Sequence, residues 1–88
     1  MDRKIKVMIA DDQVILAEGI RSVLETDPEL EVVGVAFDGF DALKKMEDNL
    51  PDVVLMDIRM PNMNGVVATQ SIKSKYPDVK VVILTTFD

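Results

Sequence analysis

Asp11 and Asp12 close one short apolar run of the chain, VMIADD, and Asp57 closes another, VVLMD. Thr85 and Thr86 stand at the end of a third, KVVILTT. Carboxylate oxygens are hard donors that suit magnesium, with manganese as a substitute, and a carboxylate can also act as a nucleophile. The sequence has no histidine and no cysteine, which removes the commonest general base and the usual zinc ligands. Two like charges ~4 Å apart at an effective dielectric of ~20 repel by about 4 kcal/mol. Three aspartates sharing a cleft therefore need a cation or a proton. Magnesium keeps several waters and takes few protein ligands, which leaves room for a phosphoryl group. In such a site Asp57 is expected to attack a phosphoryl donor and become an aspartyl-phosphate. A threonine hydroxyl at the end of KVVILTT is expected to donate a hydrogen bond to the modified side chain.

The order of elements is what would bring these residues together. Lys6 to Ala10 is a short apolar run, and Gln13 to Thr26 carries Leu16, Ile20, Val23 and Leu24 at helical spacing. Asp27-Pro28 ends that helix. Glu31 to Phe37 is β-branched and apolar, which predicts a second strand. Asp38 is a candidate N-cap for a helix carrying Ala42, Leu43 and Met46. After Leu50-Pro51-Asp52, Val53 to Met56 predicts a third strand ending at Asp57. The turn-rich loop Arg59 to Gly65 follows, then a helix from about Val66 to Tyr76 with Val67 and Ile72 inward, then a fourth strand, Lys80 to Thr86. The order β-α-β-α-β-α-β, with unbroken apolar strands, predicts an α/β fold with a doubly wound parallel sheet. In such sheets ligands bind beyond the carboxyl ends of the strands. Asp11, Asp12, Asp57, Thr85 and Thr86 all fall on that edge.

The segments VMIADD, VVLMDIRMPNMNG and VVILTT resemble the response-regulator receiver family of two-component signalling in order and spacing. The resemblance implies a flavodoxin-like fold, with Asp57 as phosphoacceptor and Asp11 and Asp12 as the acidic pair that binds magnesium. It implies that Arg59 supplies a backbone carbonyl to the metal, and that Thr85 follows the phosphoryl group while Thr86 shapes access to it. Pro61 and Gly65 match the family's turn beside the site. DDQVILAEGIRSVLE and LTTFD are similar to the NarL/FixJ subfamily, whose members usually carry a DNA-binding output domain. The implied partner is a sensor histidine kinase in the cytoplasm, with DNA reached only through that output domain, for which these residues carry no sequence.

The family's domain continues for a further helix, a fifth strand and a last helix, so residues 1–88 are expected to be a partial receiver domain. The fifth-strand lysine that pairs with the phosphoryl group has no counterpart. KVVILTT is then expected to be an unpaired apolar edge, with the first helix short of a packing neighbour, and self-association through that edge is the competing function. An aspartate-nucleophile phosphatase of the haloacid-dehalogenase type wants an acid two residues after the nucleophile, where Arg59 stands. The net charge of −6 disfavours non-specific nucleic-acid binding by these residues. No apolar run reaches the ~20 residues a membrane helix needs. Adjacent aspartates alone are usually a helix start, with Asp11-Asp12 as open to that reading as to a functional one, and threonine needs no functional reason to sit in a strand. The coincidence on one sheet edge carries the functional reading.

Overall fold

Each of the four apolar runs forms a strand, and the segments between them form helices. The computed structural model describes residues 3–84. Over these the order is β1 (Ile5–Ala10), α1 (Val14–Leu24), β2 (Leu30–Ala36), α2 (Gly39–Asp48), β3 (Val53–Asp57), α3 (Gly65–Lys75) and β4 (Lys80–Leu84). All pairings are parallel and the strand order is β2-β1-β3-β4. The chain steps from β1 outward to β2, then returns to lay β3 on the other side of β1. That reversal puts a crevice beyond the carboxyl ends of β1 and β3.

Side chains alternate across the sheet, as the period of two in a strand requires. Met8 and Ala10 enter a core with Ala42 and Met46 of α2 and Ala68 and Ile72 of α3, whereas Ile9 joins Ala17 of α1 and Val32 and Val35 of β2. One helix thus covers one face, and two cover the other. At the amino end of β3, Asp52 binds both the Arg3 guanidinium and the Lys6 backbone N–H, and its own N–H donates to the Lys6 carbonyl. This stitches β3 to β1 at the edge opposite the crevice.

The inward faces differ from the sequence expectation in two helices. In α3, Ile72 is buried but Val67 is 44% exposed, and Ala68 and Gly65 take the inner positions. Residues 65, 68 and 72 form one stripe, and Val67 lies about 100° from Ala68 around the helix. In α1, Leu16 and Val23 are exposed and the stripe against the sheet is Ala17, Ile20 and Leu24. The small Ala17 packs with Ile9 of β1 and with Val32 and Val35 of β2. The ends also shift by a residue or two. Helix α1 stops at Leu24 because the Thr26 hydroxyl donates to the Val23 carbonyl and the chain turns through Asp27.

Among the described residues β4 pairs with β3 alone, and Val82 and Ile83 are 48% and 40% exposed. None of the described helices is long and apolar enough to cross a membrane.

Candidate functional site

The residue after β1 is Asp11, and its backbone N–H donates to the carbonyl of Ala36 at the end of β2 (2.9 Å). The side chain is fully buried. Its Oδ1 accepts the Gln13 N–H at 2.8 Å, while Oδ2 is buried with no hydrogen-bond partner among the described residues. Burial pushes the Asp11 carboxyl above its ordinary range, and repulsion from Asp57 and Asp12 pushes it further, against the opposing pull of the Gln13 N–H.

Asp57 is the last residue of β3 and is 1% exposed. Its Oδ1 accepts the backbone N–H of Arg59 at 3.3 Å. Asp12 is exposed at the mouth. One carboxylate oxygen from each of Asp11, Asp12 and Asp57 lies within 4.8 Å of the others. Two buried acids, an orphaned buried oxygen and a third acid at the rim make a poor site for anions alone. The donor set fits a hard divalent cation, which would give Asp11 Oδ2 a partner and offset the mutual repulsion.

The loop after Asp57 is held against the site by several contacts. The Ile58 carbonyl accepts the N–H groups of Met60 (3.2 Å) and Gly65 (2.9 Å). Met60 is buried in the α2–α3 core. A Cβ on Gly65 would stand 2.2 Å from the Asp57 carbonyl oxygen and 2.8 Å from Ile58 Cα, so only glycine lets α3 start this close to the acceptor strand. Asn64 caps α3 by accepting the Val67 N–H (3.0 Å).

Asp11, Asp12 and Asp57 are thus brought together as the strand ends imply. Arg59 follows two residues after Asp57, as expected, with its N–H turned to that carboxylate. Thr85 and Thr86 lie outside the described residues. The sequence reading gave Asp38 a capping role, which it has, since its Oδ1 accepts the Asp41 N–H at 2.8 Å. It missed that the other oxygen, Oδ2, accepts the Asn62 side-chain amide at 2.8 Å. It also missed the Gly39 N–H, which donates to the Met63 carbonyl at 3.0 Å. Asn62 has φ of 65°, and a Pro-Asn turn was the available signal for such a left-handed residue.

Comparison with known proteins agrees with the geometry. A family model described as the response regulator receiver domain matches residues 7–88. The transcriptional regulatory protein LnrK of Bacillus subtilis is 51% identical over 83 residues, covering 94% of this chain and 38% of LnrK. DegU of Brevibacillus brevis, also a transcriptional regulatory protein, is 45% identical over 87 residues, covering 99% of this chain and 37% of DegU. Among solved structures, the NarL signal receiver domain of Mycobacterium tuberculosis superposes with a TM-score of 0.87 at 34% identity, over 99% of this chain and 70% of that one. The chain spans less than two fifths of the length of these two curated relatives.

Proposed function

The chain belongs to the response regulator receiver family, and from that premise we propose that Asp57 accepts a phosphoryl group from a sensor histidine kinase in the cytoplasm. Asp11, Asp12, Asp57 and the backbone carbonyl of Arg59 hold magnesium, with manganese able to replace it. The single observation that carries this reading is the meeting of three carboxylates at the β1–β3 crevice, one of them with a buried oxygen that has no partner among the described residues.

An Asp57 carboxylate oxygen attacks phosphorus, forming a C–O–P link as the phosphorus–nitrogen bond of a phosphohistidine breaks and the imidazole leaves. When bound, the cation supplies charge compensation for the transferred oxygens, which is most of what phosphoryl transfer requires. Asp11, held by the Gln13 N–H and the Ala36 carbonyl, keeps one oxygen free to serve as ligand. The Arg59 N–H orients the acceptor carboxylate. Thr85 follows the phosphoryl group and Thr86 borders its access path. DNA is engaged only through an output domain outside these residues, a reading supported by the transcriptional regulators among the relatives.

Incubation with acetyl phosphate and magnesium should add one phosphate per chain, released by hydroxylamine as an acyl phosphate is. A chelator should prevent it. A folded, magnesium-supplied chain that stays unmodified would contradict the assignment.

A second reading, association through β4, is favoured by the exposure of Val82 and Ile83 on a strand that, among the described residues, pairs on one side alone. Edge strands carrying apolar side chains pair readily, and an edge lysine blocks pairing. Val82→Lys should therefore convert associated chains to monomers in sedimentation. A monomeric parent would dispose of this reading.

A further inference from the structure

Neither loop that carries the carboxylates stands alone; both are tied to the short junction between β2 and α2. On one side the Ala36 carbonyl accepts the Asp11 N–H. On the other, Asp38 Oδ2 accepts the Asn62 amide and the Gly39 N–H donates to the Met63 carbonyl. A Cβ on Gly39 would lie 2.7 Å from both Cγ and the carbonyl oxygen of Met63, so the junction and the loop after Asp57 are packed backbone to backbone. The two oxygens of Asp38 do different work. Oδ1 caps α2 through the Asp41 N–H, and Oδ2 reaches across to the neighbouring loop. Asn62 holds a left-handed backbone, which asparagine tolerates better than most residues, at the point where its amide meets Asp38.

We propose that residues 36–39 form a positioning bracket for the carboxylate site, contributing no ligand but fixing the loop of Arg59 relative to Asp11 through the Asp38–Asn62 hydrogen bond. This rests on the cation reading given above. Groups that orient ligands without touching a metal commonly change its affinity by tenfold or more when removed. The bracket acts on a loop of the same kind, because the carbonyl assigned to the cation lies between Asp57 and the tied Asn62.

Two substitutions separate the tie from the fold. Asp38→Ser keeps a capping oxygen for α2 but loses the second oxygen. Asn62→Gly removes the amide, and glycine accepts a φ of 65° without strain. Mn2+ binding, followed by electron paramagnetic resonance of the free ion, should weaken about tenfold in each. The double variant should bind no more weakly than either single one, since both break the same link. Asp38→Asn should restore affinity, because its amide can still cap α2 and pair with a rotated Asn62. Parental affinity in both single variants, or losses that multiply in the double one, would overturn the bracket while leaving the site intact. A parent chain that takes up no Mn2+ would instead overturn the cation reading, and the bracket with it.

Discussion

Replacing Asp57 by asparagine is expected to abolish phosphoryl incorporation from a small phosphodonor, by about three orders of magnitude or more, as loss of a covalent nucleophile does. The amide is nearly isosteric and can still accept the Arg59 N–H, so the loop keeps its place. What it lacks is a nucleophilic oxygen. Neither neighbour is placed to take over. Asp11 has one oxygen committed to Gln13 and a carboxyl held above its ordinary range by burial, and Asp12 lies exposed at the mouth. The substitution also removes one charge from a crowded acidic cluster. Without a cation, Asp57→Asn should therefore unfold at or above the parental temperature, and it should lose acceptor activity whether or not magnesium is present. Unchanged incorporation, read by intact mass, would move the acceptor to another residue.

How far the sequence reaches differs from element to element. Strands were legible because apolar β-branched runs such as VVLM and VVIL can be satisfied only inside a covered sheet, and each ends at a chemically distinct residue. The meeting of Asp11, Asp12 and Asp57 followed from strand ends and parallel order alone. Helix faces were less legible. In α1 the expected Ile20 and Leu24 do face the sheet, but Leu16 and Val23 do not, and the remaining inward place belongs to the small Ala17. The same holds for Ala68 against Val67 in α3.

Contacts between loops were beyond the sequence. Asp38 and Asn62 are 24 residues apart, and no periodicity links a helix cap to a turn in another crossover. Gly65 could be recognised as a turn residue, but its closeness to the Asp57 carbonyl depends on where α3 begins. Arg59 was assigned through resemblance, and what the structure adds is its N–H on the acceptor carboxylate.

The second large effect concerns the cation itself. The folded state raises the Asp11 carboxyl above its ordinary value of 3.8. Between that value and the raised one the folded chain holds more protons than the unfolded chain. Without a cation, the contribution of Asp11 to stability is then greatest below this window and falls as pH rises through it. Without a cation the ionised Asp11 is a buried, partly unsatisfied charge, and Asp11→Asn, which removes it, should be the more stable protein. A bound divalent cation reverses the order, since it stabilises only the chain that can hold it.

Thermal unfolding of the parent and of Asp11→Asn at neutral pH, with magnesium and with chelator, reads this balance directly. At a hundred times its dissociation constant, magnesium adds ~2.7 kcal/mol to the folded state, a rise of roughly 10–20 °C for a domain of this size. The parent should show that rise, and Asp11→Asn should show none while exceeding the chelated parent. A parental midpoint indifferent to magnesium, or a variant that responds as fully as the parent, would mean that these acids gather at the sheet's rim without binding a metal ion.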